Sequence, residues 1–197
     1  LMATALLFTL GACKKKEETP SIPVNPGTAE EAATNFIRAY RLEDYLTFFS
    51  LYLHDARQEW IDNNLVSQTV EEYLAAAQAQ ADKEGMSVTL QSLDDYYIAL
   101  HEKWLARMDE LYGAYTITSK VTSSVKLDEA GLEKLIGEVG GGFTGKYVTE
   151  EQLNNITEGY IITVDFTIAG ELKEFHDTYT VKTVLCDGKW LVAGHTT

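Results

Sequence analysis

An Asp-Gly dipeptide, Asp187-Gly188, lies between two strand-like runs of the sequence, "DTYTVKTVLC" and "KWLVAG". Type I′ turns need a positive φ at both central positions, so Asp-Gly between two such runs is a strong signal for a two-residue β-hairpin. The register of this turn pairs Leu185 with Trp190 and Val184 with Leu191, which are favourable cross-strand pairs. The fold therefore has to include at least one antiparallel hairpin.

The rest of the second half also has the periodicity of strands. Tyr115–Val125 is rich in Thr and Val, which favour strands. In "YIITVDFTI", alternate large residues share one face: Tyr160, Ile162, Val164, Phe166 and Ile168. Asp128–Val139 is predicted as a short helix, and Thr149 with Gln152 has the spacing of a capping box that begins another helical turn.

The first half has the periodicity of helices instead. Capping-box spacing of Thr28 with Glu31, and of Thr69 with Glu72, predicts the start of two helices. Residues 42–53 are apolar almost all round, which predicts a further helix that is buried on most sides. The clearest amphipathic helix has apolar residues at steps of three and four: Leu93, Tyr97, Leu100, Trp104, Met108 and Leu111.

Helices followed by antiparallel strands indicate an α+β fold. The prediction is a set of N-terminal helices packed on one face of a curved antiparallel sheet, in a single domain over residues 27–197. The sequence is 45% hydrophobic, so a domain of this length can bury a sizeable core.

Three segments together resemble the NTF2-like lipoproteins of Gram-positive bacteria: "TAEEAATNFIRAYRLEDYLTFF", "VTEEQLNNITEGYIITVDFTI" and "YTVKTVLCDGKWLVAGH". The resemblance implies a cone-shaped α+β domain whose last hairpin carries a DGKW-type turn. Residues 55–113 are longer and more helical than the family pattern, so we interpret them as a possible helical insertion. Members of this family differ widely in function, so the resemblance implies a fold and a cellular location but no activity.

Residues 1–12 are apolar or small, and the run ends at Cys13 and three lysines. This run is too short to span the roughly 30 Å hydrocarbon core as a helix, but it fits the apolar region of a secretory signal peptide. The basic region of the signal is then expected upstream of Leu1. Leu10-Gly11-Ala12-Cys13 resembles the lipobox of bacterial lipoproteins, which implies that Cys13 is lipidated once residues 1–12 are removed.

A lipid on Cys13 implies attachment to the extracytoplasmic face of the cell membrane. Each buried methylene of an acyl chain such as palmitate adds about 0.8 kcal/mol, so two or three chains make a stable anchor. Residues 13–26 contain all three prolines and are predicted to be a flexible tether. The alternative is an ordinary signal peptide cleaved after Ala12, which leaves Cys13 as a free thiol.

Charge and motifs argue against several classes of function. The net charge of −14 disfavours a nucleic-acid partner, because phosphate backbones bind cationic surfaces. The sequence has no phosphate-binding glycine loop and no CxxC, HExxH or GxSxG motif, and its four histidines are too far apart to form a local metal pair. The prediction is therefore no cofactor and no metal. Cys186 is the single cysteine after Cys13, so no internal disulfide is expected.

Three residues keep an enzyme interpretation open: Asp165, His176 and His54. His54-Asp55 and His176-Asp177 each place a histidine beside a carboxylate, which can poise a general base near neutral pH, although adjacent residues point in different directions. Asp165 lies on the strand face opposite to the apolar one, and resemblance to NTF2-like enzymes implies that an Asp buried in the cone can abstract a proton. The alternatives are that the histidines are exposed or capping residues and that Asp165 faces solvent.

Three functions from different classes are consistent with this sequence. The leading hypothesis is a lipid-anchored, non-catalytic binding or accessory module for an unknown small ligand or envelope protein. The second is an isomerase or hydrolase that uses the interior of the cone. The third is an interaction protein of an envelope complex that docks through the helices of residues 69–85 and 93–111. Eleven tyrosines and three tryptophans can stack on a sugar or peptide ligand, or can serve as core residues.

Overall fold

Helices make up most of residues 22–112 and strands most of residues 113–197 in the computed structural model, which describes residues 22–197. The helices are α1 (Ala29–Arg41), α2 (Tyr45–Ser50), α3 (Ala56–Asn64), α4 (Val70–Lys83), α5 (Leu93–Tyr112), α6 (Glu129–Gly141) and α7 (Glu150–Asn154), with a 3₁₀ helix at Phe143–Tyr147. The strands are β1 (Tyr115–Lys126), β2 (Ile156–Gly170), β3 (Glu174–Cys186) and β4 (Lys189–Thr196). The α+β class is thus confirmed. The predicted signal peptide, Cys13 and residues 14–21 of the predicted tether lie outside the described residues. Ile22, also predicted to lie in the flexible tether, is instead buried against α1 and the sheet.

The four strands form one open antiparallel sheet in the order β1-β2-β3-β4. The predicted hairpin joins β3 to β4, and φ is 52° at Asp187 and 73° at Gly188. Its register is confirmed, because Leu185 pairs with Trp190 and Val184 pairs with Leu191. A positive φ at both turn residues gives the strands the twist that a two-residue hairpin needs.

The face of the sheet that carries α1 is called the inner face here. Ile162, Val164, Phe166 and Ile168 of β2 point to this face and are buried, as predicted. Phe36 and Ile37 of α1 pack on them and have no exposed surface. These residues belong to the sheet core, whose buried members are Ile22, Ala29, Ala33, Phe36, Ile37, Ala39, Leu42, Leu51, Met108, Tyr112, Ile162, Val164, Phe166, Ile168, Tyr179, Val181 and Val192.

The opposite, outer face is covered at the hairpin end by α6. Gly159 of β2 allows this close approach, because a Cβ there would lie 2.9 Å from Leu132 and 3.1 Å from Leu127. On the neighbouring strand, Lys182 Nζ reaches Glu138 of α6 at 2.8 Å. Helices therefore pack on both faces, and the prediction that they pack on one face describes α1 but not α6. The reason is that the apolar residues of α6 need a partner surface, which Gly159 and Val184 supply.

The predicted helix over residues 42–53 is wrong in its extent. Leu42 ends α1, Glu43 adopts a φ of 54°, and Asp44 begins α2 by accepting a hydrogen bond from the backbone N–H of Thr47. After α2, the chain runs beside β4, where Leu53 N–H donates to the Val192 carbonyl at 2.9 Å. Leu42, Leu51 and Leu53 of this segment are buried, and its other apolar residues are half-buried against the sheet core or the cluster around Leu74 and Tyr97, so their pattern did not require one continuous helix.

The helical layer consists of α3, α4 and the first half of α5, and it has a separate apolar cluster around Leu74, Leu93 and Tyr97. The capping box of Thr69 and Glu72 is confirmed at the start of α4. α5 is also confirmed as a long helix. The second half of α5 packs into the sheet core, so this helix connects the two regions.

Candidate functional site

Two of the predicted candidate residues, Asp165 and His176, lie on the outer face of the sheet. Asp165 stands between Lys120 of β1 and Thr178 of β3, and its Oδ1 accepts a hydrogen bond from the Thr178 hydroxyl at 2.8 Å. His176 is exposed and pairs with Thr167, which makes it a diagonal neighbour of Asp165. No hydrogen bond joins Asp165 to His176 within residues 22–197. The structure thus favours the solvent-facing alternative for Asp165.

The third candidate, His54, is buried in a different part of the molecule. Its Nε2 lies 2.8 Å from Glu59 Oε2, and its ring centroid lies 4.4 Å from that of Tyr52. The adjacent Asp55 points away and begins α3 by accepting the backbone N–H of Gln58. Glu59, four residues beyond the predicted Asp55, is therefore the carboxylate partner of His54. The sequence candidates do not converge on one acid–base site.

Asp177 also has a partner other than the adjacent His176. On the inner face, Asp177 Oδ2 lies 2.6 Å from Arg41 Nη2 and accepts a hydrogen bond from the Tyr179 hydroxyl at 2.9 Å. The Tyr179 hydroxyl, followed by the backbone N–H of Thr178 and the charge of Arg41, lowers the pKa of the Asp177 carboxyl. The Arg41 guanidinium lies 4.4 Å above the ring of Phe175. Arg41 is thus held by one carboxylate and by aromatic rings.

His195 of β4 lies under α1, next to these residues. Its ring packs 5.0 Å from the ring of Phe36 and 5.2 Å from that of Tyr40, and its Nδ1 is 3.2 Å from the Tyr52 hydroxyl. Burial lowers the pKa of His195, so the neutral imidazole is favoured. An uncharged histidine among aromatic rings is a packing residue with one hydrogen bond.

A half-open cavity of about 330 Å³ lies where the end of α1, the turn into α2, and α5 meet. It is called the aromatic pocket here. Four of its lining residues are aromatic and two are charged, and the full lining is Ala39, Tyr40, Arg41, Glu43, Tyr45, Phe48 and Trp104. Cavities of this size with aromatic walls and a few polar groups are typical of small-molecule sites.

Side chains of α5 hold the turn that carries the pocket's charged residues. His101 Nδ1 lies 2.7 Å from the carbonyl oxygen of Leu42, and Trp104 Nε1–H donates to the carbonyl of Arg41 at 3.0 Å. The last carbonyls of a helix have no partner within the helix, so α5 satisfies two groups that α1 leaves free. Trp104 is fixed in place by the same bond. The pocket is therefore shaped by defined contacts between two helices.

Glu43 occupies the turn between α1 and α2 with a φ of 54°, a conformation that residues with a Cβ rarely adopt. Among the described residues, its carboxylate makes no hydrogen bond and no ion pair. Burial raises the pKa of the Glu43 carboxyl, and the charge of His101 opposes this shift. Burial, followed by the negative charge of Glu43, raises the pKa of Tyr45. Glu43 thus places a carboxyl group that has no hydrogen bond or ion pair, among the described residues, at a partly desolvated site.

A second cavity of about 370 Å³ lies between α4 and α5 in the helical layer. Its walls are mostly alanine and larger apolar residues, and the Tyr73 hydroxyl donates to that of Tyr96 at 2.7 Å beside it. Lys103 and Glu84 form an ion pair of 2.6 Å at its rim. The large apolar residues of α4 and of the first half of α5 line this cavity or the cluster beneath it, except Ile98, which is exposed.

In residues 22–197, no three His, Cys, Asp or Glu side chains come together as a possible metal site. None of the helices described there has both the length and the apolar character needed to cross a bilayer. Cys186 is a buried free cysteine, and burial raises the pKa of its thiol.

The sequence reasoning missed the aromatic pocket because it treated residues 42–53 as one helix. One local signal was available: Asp44 followed by Thr47 has the spacing of a helix N-cap, which places a helix start after Glu43. The positive φ of Glu43 has no comparable signal, since glutamate is not a residue that favours it. The role of Trp104 as both a core and a pocket residue depends on the packing of α5.

Comparisons with known proteins give no relationship to this chain: no protein-family model matches it, no curated protein matches it, and no solved structure matches it.

Proposed function

We propose that this chain is a lipid-anchored, non-catalytic binding module on the extracytoplasmic face of the cell membrane. Cys13 carries the lipid, and residues 14–21 form the tether that leads to Ile22, which packs in the sheet core. The domain that follows binds a small ligand in the aromatic pocket. We also propose that the domain is a variant of the NTF2-like fold, in which α1 packs on an open antiparallel sheet. The lipobox-like residues 10–13 and the apolar run before them support the anchor.

The aromatic pocket is the single observation that carries the binding function. Its rings belong to three helices; Trp104 is held by a hydrogen bond and Tyr40 stacks on Phe48, so the site exists before any ligand arrives. A pocket that is formed in advance loses less conformational entropy when it binds. Its location at the junction of α1, α2 and α5 is also the kind of site where ligands bind in helical proteins.

The arrangement of titratable groups supports binding over catalysis. General acid–base catalysis needs a proton-transfer group within hydrogen-bond reach of the reacting atom, and nucleophilic catalysis needs a base beside the nucleophile. In the pocket, Arg41 is engaged by Asp177, and Glu43 has no histidine or hydroxyl hydrogen-bonded to it among the described residues. Neither Asp165 nor His176, on the outer face, lines the aromatic pocket or the cavity between α4 and α5.

Binding is tested by making Trp104 the single fluorescent reporter. The Trp60→Phe/Trp190→Phe variant keeps Trp104 as its one tryptophan. A panel of alkylammonium ions, carboxylates, amino acids, monosaccharides and short peptides is then titrated into it. We expect a saturable change in fluorescence with at least one class, and loss of that change in Phe48→Ala. Failure of every class to alter either the fluorescence or the melting temperature overturns the proposal that the pocket binds a small ligand.

The anchor is tested separately by labelling cells of a Gram-positive host with an alkyne-bearing fatty acid. The full chain, supplied with a basic signal start upstream of Leu1, is compared with its Cys13→Ser and Cys186→Ser variants. We expect label on the unmodified chain and on Cys186→Ser, with Cys13→Ser unlabelled. Equal release of the unmodified chain and Cys13→Ser into the medium, without label, instead supports cleavage by an ordinary signal peptidase.

A further inference from the structure

We propose that the ligand of the aromatic pocket is a small organic cation that carries a substituted ammonium group, and that Glu43 provides the charge that selects it. This inference rests on the proposed function, because it identifies the chemistry of a ligand at that same site. It is argued from the charges that face the pocket, from its aromatic walls and from its size.

The charges around the pocket favour a cation. Arg41 is the one cationic side chain in the pocket lining, and its charge is matched by Asp177 at 2.6 Å. Its guanidinium also lies over the rings of Phe175 and Tyr179, at 4.4 and 5.1 Å. The negative charge of Glu43 has no such partner among the described residues. A ligand cation is therefore the group that completes the charge pairing.

His101 is the other titratable group that acts on Glu43, and it has a separate contact. Its Nδ1 lies 2.7 Å from the carbonyl oxygen of Leu42, so Nδ1–H donates a hydrogen bond to that oxygen. Because His101 is outside the pocket lining, it does not occupy the space next to Glu43 where a ligand enters. The acidic character of the whole chain, with a net charge of −14, also attracts cations toward the site.

The aromatic walls provide the second recognition element. The faces of Trp, Tyr and Phe rings attract cations, and substituted ammonium groups are bound in proteins by cages of such rings. The rings of Tyr40 and Phe48 stack at 5.7 Å, and Trp104 is fixed by its bond to the Arg41 carbonyl. A substituted ammonium ion suits these walls better than a bare metal ion, since its methyl groups contact rings without hydrogen bonds. The volume of about 330 Å³ admits a molecule of this kind.

The direct test compares choline with its neutral isostere 3,3-dimethylbutan-1-ol, in which carbon replaces the charged nitrogen. Both are titrated into the variant that retains Trp104 as its single tryptophan, and calorimetry repeats the titration with the unmodified chain. We expect choline to bind at least about tenfold more tightly than the isostere, because the difference isolates the charge. Glycerophosphocholine is titrated alongside to distinguish a free solute from a lipid headgroup, and we expect it to bind more weakly because its phosphate approaches Glu43.

Two variants identify Glu43 as the selecting residue. Glu43→Gln keeps the shape of the side chain and removes its charge, and we expect it to weaken choline binding at least about tenfold while the isostere is unaffected. Glu110→Gln, a matched change on the exposed surface of α5, is expected to leave both unchanged. Circular dichroism and the melting temperature establish that each variant is folded.

The outcomes separate this inference from the proposed function. Equal binding of choline and the isostere, or choline binding that is indifferent to Glu43→Gln, overturns the assignment of a cation while the pocket remains a binding site. If choline does not bind but another class of the panel does, the assignment of a cation is again wrong, while the proposal that the pocket binds a small ligand stands. If nothing binds, both proposals fail.

Discussion

The sheet core and the helical layer of this protein bury their apolar residues to different degrees. Phe36, Phe166 and Val181 in the sheet core have no exposed surface, whereas Leu74 and Leu93 in the helical layer remain 9% and 5% exposed. The larger cavity also lies in the helical layer, and the aromatic pocket lies at its junction with the sheet core. The comparison teaches that the sheet core supplies the rigid frame. The space for a ligand opens in and beside the helical layer, where packing is less complete.

The two regions are joined by α5. Leu93 and Tyr97 at its start belong to the helical layer, while Met108 and Tyr112 near its end belong to the sheet core. A helix of 20 residues is about 30 Å long, so α5 is long enough to pack in both regions and to fix their relative position. His101 and Trp104, which hold the pocket, lie between these two groups.

The largest effect is expected from Phe166→Ala in the sheet core. Truncating a fully buried phenylalanine leaves a cavity that the packed strands cannot close, so the free energy of unfolding should fall by about 3–5 kcal/mol. Urea unfolding followed by circular dichroism measures the loss. Thr167→Ala, on the outer face beside it, is the control and should cost less than about 1 kcal/mol. Similar losses from the two variants would contradict the assignment of faces.

A smaller effect is expected from Leu74→Ala in the helical layer. Its neighbours are mostly half-buried and can move into the space, so the loss should be about 1–2 kcal/mol, below the usual range for a core leucine. Hydrogen exchange gives an independent measurement, in which the amides of α4 should open at a lower free energy than those of β2. Equal protection of α4 and β2 would remove the difference between the regions.

Removing a tyrosine hydroxyl should have opposite consequences in the two regions. The Tyr179 hydroxyl bonds to Asp177 in the sheet core, so Tyr179→Phe should lower the free energy of unfolding by about 1 kcal/mol. The Tyr97 hydroxyl in the helical layer is buried with no hydrogen-bond partner among the described residues. Tyr97→Phe should therefore raise the free energy of unfolding by up to about 1 kcal/mol. The two melting temperatures moving in the same direction would contradict this account.

The smallest effect is expected from Asp177→Asn, and it should depend on pH. The pKa of Asp177 is lowered in the folded state, so its ionised form contributes stability above the unfolded pKa near 4, and this contribution is lost as the pH falls through the lower folded pKa. Because both partners are about one-third exposed, the loss at pH 7 should be about 0.5–1 kcal/mol. Unfolding curves at pH 7 and pH 3 check whether the difference between wild type and variant shrinks in acid.

The sequence was informative where local geometry determines the structure. The hairpin register at Asp187-Gly188, the buried face of β2 and the capping box at Thr69 all follow from spacing within a few residues, and each is confirmed. The break at Glu43 and the position of α6 on the outer face were missed. Both depend on contacts between residues distant in sequence, such as His101 with Leu42 and Gly159 with Leu132. The lipid at Cys13 stays a prediction.

The candidate site was harder to predict than the fold, for a related reason. Asp165, His176 and His54 were selected because their residue types carry proton chemistry, but their neighbours in space are a threonine hydroxyl, solvent and Glu59. The aromatic pocket instead joins Tyr40 and Phe48 to Trp104, which is more than fifty residues further along the chain. No local pattern connects residues of this separation.

The two outer strands of the sheet differ in how they can meet another molecule. Beside β4, the edge is partly occupied: the Val192 N–H donates to the Leu51 carbonyl, and the Val192 carbonyl accepts from the Leu53 N–H. β1 has no neighbouring strand on its far side in residues 22–197, so it is an edge strand at which a foreign strand can be added. A bulge between Val121 and Ser123 interrupts that edge, and such irregularities discourage strand addition. Within the described residues, this irregular stretch of β1 is therefore a feature that protects the sheet against edge-to-edge aggregation.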